Sequence, residues 1–182
     1  RVPMGTSPTG GAPFAPLAAR FPSLPHQGIG AELLAVRGKF DREALDAFAA
    51  ESHRRAAATQ AAGGFDREIV PVALPDGRVH AVDETVRGST TAEGLGGLKP
   101  AFADPRFAER YPEIDWSITP GNSSPLTDGA SAALIMSAEK AEALGLTPRA
   151  RFHAFSVVGS DPEVMLSGPI PATHKVLARA AL

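Results

Sequence analysis

The last third of the chain alternates between two structural periods, and that alternation most restricts the fold. "ASAALIMS" (residues 130–137) is a short apolar run that reads as a buried strand. Ser137 can cap the helical pattern "AEKAEALG", which Gly145 can end. "RARFHAFSVVG" (residues 149–159) reads as a second strand. "PIPATHKVLARAAL" is a helix with proline in its first turn. Strand, helix, strand, helix argues an α/β architecture.

The first two-thirds lack this alternation and read as a mainly helical insertion carrying one hairpin. Residues 1–25, rich in Pro, Gly, Ser and Ala, read as a loop or a linker. "GAELLAVRG" is a short helical pattern. "DREALDAFAAESHRRAAATQAAGG" is the clearest helix in the chain. Asp41 can cap it, Leu45, Phe48 and Ala49 form its apolar face, and Gly63 and Gly64 end it. "REIVPVALPDGRVHAVDE" predicts two strands around a Pro75-Asp76-Gly77 turn. "TTAE" is a capping-box pattern opening a short helix from Thr90 to Leu98, although Gly94, Gly96 and Gly97 weaken it. "FADPRFAERYPEIDW" reads as a polar, aromatic surface insertion.

Composition excludes several classes. The net charge of −2, from 18 basic and 20 acidic side chains, gives no basic stripe for nucleic acid. The absence of cysteine excludes disulfides, thiolate metal sites and a cysteine nucleophile within this chain. No apolar stretch approaches the ~20 residues that span a bilayer, and there is no signal-peptide pattern. The expectation is a cytoplasmic protein with no membrane partner.

The five histidines have no metal-ligand spacing. His53, His80, His153 and His174 sit within helix or strand patterns and read as structural or exposed. His26 lies instead in a loop, "PHQGIG", that leads into a helix. There is no phosphate-binding loop, dinucleotide fingerprint or nucleophile elbow. The segment "TPGNSSPLTDGASAALIMS" (residues 119–137) sets small polar residues directly against an apolar run. Ser123 and Ser124 could bond an amide-bearing ligand. Gly121 and Gly129 could equally serve only tight turns.

Five segments then occur in the order and spacing of one family: "FDREIVPV", "LKPAF", "ITPGNSSPLTDGASAALIMS", "RARFHAFSVVGSDP" and "GPIPATHKVLARAAL". Together they resemble the thiolases, which transfer acyl groups between coenzyme A and acetyl-coenzyme A. The resemblance spans essentially the whole chain. It implies a partial thiolase fold, α-β-α-β-α layers with an inserted, mainly helical loop domain. Residues 1–116 would be the loop domain that roofs the coenzyme A site. Residues 117–147 would close the N-terminal half, and residues 148–182 would open the C-terminal half.

Carried over position by position, the resemblance implies nine contacts with coenzyme A or its acyl group. Arg87 would lie at the adenine and phosphate end. Leu98, Ala101 and Phe102 would make apolar contacts, and Pro120 and Gly121 would line the pantetheine channel. Ser124 would bond a pantetheine amide, Met165 would stand near the acyl pocket, and His26 would approach the reacting end. Pro120 stands where the family commonly has alanine, and Gly94 where some members have serine.

The family's chemistry needs a thiolate nucleophile, a histidine in a Gly-His-Pro motif, a second cysteine, and an Asn-Glu-Ala-Phe motif that helps form an oxyanion hole. This chain carries none of them, so the resemblance implies no catalytic residue here, no metal and no tightly bound cofactor. The segment alone is expected to be inactive. It is expected to need the rest of a thiolase polypeptide, or a complementary chain, and to form a dimer or tetramer when complete. Two other readings stay open: a non-catalytic thiolase-like protein that binds acyl-coenzyme A or lipid, and an inactive gene fragment. Neighbouring reading frames that carry or lack the cysteines and Gly-His-Pro would separate them.

Overall fold

The computed structural model describes residues 19–21 and 24–182. Nearly all of the expected loop 1–25 lies outside these residues. Six helices and one small hairpin form among the described residues. They are α1 (Gln27–Gly38), α2 (Arg42–Ala61), β1 (Val72–Ala73), β2 (Val79–His80), α3 (Ala92–Gly96), α4 (Pro105–Arg110), α5 (Ala138–Ala143) and α6 (Pro169–Arg179).

Local chemistry sets most of the helix ends. The Asp41 carboxylate accepts the Ala44 N–H at 2.8 Å and starts α2. Gly63, at φ 69°, turns the chain out of it. Thr91, one residue later than predicted, caps α3 by accepting the Gly94 N–H at 3.1 Å. That helix stops at Gly96 rather than reaching Leu98. Ser137 caps α5 and Gly145, at φ 65°, ends it. The hairpin pairs Val72 with His80 and Ala73 with Val79. Its turn has Gly77 at φ 85° and Asp76 accepting the Arg78 N–H.

Ile29 and Leu33 of α1 pack with Tyr111, Ile114 and Val164, and Phe102, Phe107 and Trp116 lie against this cluster. The segment read as a surface insertion is therefore part of the core. α4 and the residues just after it turn Phe107, Tyr111 and Ile114 onto the α1 cluster, so the aromatic content is packing rather than excursion. Val164 arrives from the C-terminal part, and Glu163 beside it accepts from the Tyr111 hydroxyl at 2.5 Å and from Arg110 at 3.2 Å. Arg37 bonds Asp161 at 2.9 Å.

Two expectations are corrected. Residues 128–136 and 149–160 carry neither helix nor strand. An apolar run becomes a strand only when another backbone supplies the ladder, and no described residue does so here. Leu134 is 79% exposed, and Ile135, Phe152, Phe155 and Val157 are exposed with it. α6 ties to the second of these runs through side chains only: Ser156 donates to the Ala172 carbonyl, Lys175 to that of Val157 and Arg179 to that of Phe155. Of the apolar face predicted for α2, Leu45 and Ala49 are half-buried on its inner side, but Phe48 is not. Phe48 is 79% exposed, while Asp46 is the residue that α2 buries.

Candidate functional site

Residues 98–102 and 117–121 run side by side. The Ala101 N–H donates to the Ile118 carbonyl at 2.8 Å. Gly121 lies against Leu95 and Leu98; a methyl group added to it would fall 2.5 Å from one Leu98 methyl and 2.6 Å from one of Leu95. Any side chain at this position would have to displace those leucine methyls. Leu98, Ala101, Phe102, Pro120 and Gly121 are thus gathered along one seam. His26 joins its edge: its ring tilts over Phe102 at 5.6 Å and meets Phe107 edge-on at 5.5 Å. Gly28, two residues further on, leaves room for the Phe102 ring.

The remaining predicted residues lie apart. The backbone N–H of Arg87 donates to Nδ1 of His53 on α2 at 3.1 Å, and its side chain is exposed. His53 therefore serves as a structural acceptor. Met165 follows Val164 at φ 35°, a left-handed conformation unusual for a non-glycine residue. Among the described residues, no hydrogen bond or ring contact ties Arg87 or Met165 to the seam. Ser124 is exposed just past the turn.

Two buried carboxylates hold the seam in place, and neither is evident from motif reading. Glu32 of α1, 1% exposed, accepts the N–H groups of Ser117 at 2.9 Å and Ile118 at 3.0 Å, and the Ser117 hydroxyl at 3.3 Å. Asp46 of α2, 2% exposed, accepts from Arg42 Nε at 2.6 Å and Asn122 Nδ2 at 2.9 Å. Asn122 closes the turn by accepting the Thr119 N–H at 2.8 Å and donating to the Ser117 carbonyl at 3.0 Å. The Thr119 hydroxyl accepts the Gly121 N–H, and Ser123 donates to the Thr119 carbonyl. The signal for both acids was their place on helix faces: Glu32 falls beside Ile29 and Leu33, and Asp46 falls four residues after Arg42.

Asp104 stands near the His26 edge. Hydrogen bonds from the Arg106 side chain, and then from its backbone N–H, pull its carboxyl down to about 2. No group of three or more His, Cys, Asp or Glu among the described residues could hold a metal ion. No helix among them is long and apolar enough to cross a membrane. An apolar recess of about 480 Å³, bordered by Leu34, Phe40, Leu45, Leu166 and Ile170, contains none of the nine predicted residues.

The thiolase N-terminal domain family matches residues 18–139, so the chain belongs to the thiolase family. It is 49% identical over 159 residues to a 3-ketoacyl-CoA thiolase of Marinobacter nauticus, covering 85% of this chain and 38% of that protein. It is 44% identical over 159 residues to an acetyl-CoA acetyltransferase of Allochromatium vinosum, with the same coverage on both sides. Among solved structures, it resembles the acetyl-CoA acetyltransferase of Bacillus anthracis, with TM-score 0.73, 40% identity, and 85% and 37% of the two chains covered. The acetyl-CoA acetyltransferase of Syntrophomonas wolfei matches with TM-score 0.75 and 36% identity, over 86% of this chain and 37% of that one. The architecture is a partial thiolase fold, and the chain spans about 38% of the length of these curated relatives.

Proposed function

We propose that this chain is the middle of a thiolase polypeptide and supplies its coenzyme A site. The complete protein would cleave 3-ketoacyl-coenzyme A by thiolysis, or run the reverse Claisen condensation. The cysteines and the Gly-His-Pro histidine would come from outside this segment, in keeping with the resemblance. The observation that carries the reading is the seam itself. Five of the predicted contacts, Leu98, Ala101, Phe102, Pro120 and Gly121, converge from segments on either side of residue 110, and His26 sits at their edge.

A pantetheine arm suits such a seam. It is narrow and amide-bearing, so it needs apolar walls and a few hydrogen-bonding groups. Leucine, phenylalanine, proline and glycine give the walls, and Ser124 gives a hydroxyl. Coenzyme A and acyl-coenzyme A are the proposed substrates. The exposed apolar runs at 130–136 and 152–157 favour a requirement for the rest of the polypeptide. A dimer or tetramer of the complete protein belongs to the same proposal.

The test is Ser124→Ala in the complete polypeptide. Loss of one hydrogen bond, about 1 kcal/mol, raises KM for coenzyme A about fivefold with kcat little changed. An unchanged KM returns residues 119–124 to the role of a turn.

A further inference from the structure

We infer that Asp46, acting through Arg42 and Asn122, is a positioning residue that sets the gap between residues 95–98 and residues 117–123, and that this gap is the passage for the pantetheine arm. The second half of the statement rests on the functional reading above. The first half rests on the geometry of one carboxylate.

Asp46 is the residue that a 20-residue helix turns inward, while Phe48 on the same helix faces solvent. An amphipathic helix ordinarily buries its apolar side chains and exposes its acids. The reversal marks a position where the carboxylate serves a specific contact. Its two oxygens are divided between two loops. Oδ2 holds Arg42, whose terminal nitrogen reaches on to the carbonyls of Leu95 at 2.6 Å and Leu98 at 3.1 Å. Oδ1 holds the Asn122 side chain, which closes the turn carrying Gly121.

Both loops lack regular structure strong enough to hold them otherwise. α3 has five residues, and residues 117–136 form no helix or strand. α2 is the long, rigid element to which both are tied. Since Gly121 already touches Leu95 and Leu98, a shift of either loop closes or opens the seam directly. Arg42 and Asp46 also line a cavity of about 360 Å³ between α2 and α3. A buried ion pair adds little net stability when it is well packed. Its value here is register between two loops whose partners lie 53 to 76 residues away in sequence.

The experiment compares two thioesters in the complete polypeptide: acetoacetyl-coenzyme A, and the acetoacetyl thioester of N-acetylcysteamine, which lacks the adenylate and most of the pantetheine arm. Asp46→Asn keeps the shape but removes the charge that holds Arg42 and sets two amides face to face. It raises KM for acetoacetyl-coenzyme A about tenfold, as expected for a lost charge-assisted contact. It leaves kcat and kcat/KM for the short thioester within about twofold. Arg42→Lys, which keeps a cation beside Asp46 but cannot fork to both carbonyls, gives a smaller shift in the same direction. It serves as the second variant if Asp46→Asn does not fold. Equal losses with both thioesters, or an unchanged KM for acetoacetyl-coenzyme A in both variants, overturn the inference. If the unmodified protein turns over neither thioester, the functional reading itself fails and takes the coenzyme passage with it.

Discussion

Glu32 gives the most direct test of how the seam is held. It is buried on α1, and the backbone N–H groups of Ser117 and Ile118 both end on its carboxylate. Ile118 in turn accepts the Ala101 N–H, so the carboxylate supports both sides of the seam. Glu32→Ala leaves two buried amides without an acceptor. Each orphaned group costs about 1–3 kcal/mol, which puts the local loss for the two at about 2–6 kcal/mol. α1 itself does not suffer from the change, because alanine is the better helix former. The effect is therefore local. Native-state hydrogen exchange in the complete polypeptide reads it: the Ser117 and Ile118 amides exchange about 10²- to 10³-fold faster. Amides within α1, such as that of Leu33, stay within a few-fold of their original rates. Glu32→Gln keeps one carbonyl oxygen and presents an NH2 to the other amide, so its effect is intermediate, about tenfold. Acceleration below about threefold at both amides in Glu32→Ala would refute the assignment. Equal acceleration throughout α1 would show general unfolding instead of a lost acceptor.

Tyr111 is the one tyrosine of this segment, so the difference in tyrosinate absorbance between the complete polypeptide and its Tyr111→Phe variant follows it. Burial, then the hydrogen bond to the Glu163 carboxylate, pushes its hydroxyl up to about 12, against about 10 for an unfolded tyrosine. The folded state thus holds the proton more tightly. The stability linked to this group is full below about pH 10 and is lost as pH rises to about 12. Tyr111→Phe should flatten stability across that window, and a midpoint near 10 in the folded chain would contradict the burial argument. The 182-residue chain alone should catalyse no acetoacetyl-coenzyme A cleavage and should melt without a sharp transition. Turnover at enzymic rates, or a sharp transition of the isolated monomer, counts against its being one part of a larger catalytic unit.

Features that depend on a few neighbouring residues were legible in the sequence. Asp41, Ser137, Gly63, Gly145 and the Pro75-Asp76-Gly77 turn all act within four residues of their own backbone, and each does what its side chain dictates. The shift of the α3 cap from Thr90 to Thr91 is the ordinary one-residue ambiguity between adjacent threonines. Part of the seam was legible only through resemblance, since Leu98, Gly121 and Phe102 carry no local motif of their own. The misreadings have one cause. "FADPRFAERYPEIDW" looked like surface because six of its fifteen residues are charged, yet Tyr111 and Ile114 meet α1. "ASAALIMS" and "RARFHAFSVVG" have the composition of strands, but a strand also needs a partner backbone that no composition supplies.

The sequence by itself determined the capping of α2 and α5, the hairpin turn, the α/β class, and that no thiol chemistry resides in the chain. Tertiary structure alone decided that Asp46 rather than Phe48 turns inward on α2, and which acids hold the seam. Helical periodicity ranks side chains by hydrophobicity, and on that ranking Phe48 outcompetes Asp46. The inward position goes to Asp46 because Arg42 and Asn122, four and 76 residues away, together satisfy both of its oxygens. A carboxylate is stable inside a protein only when such partners are already there, and their arrival is a property of the fold.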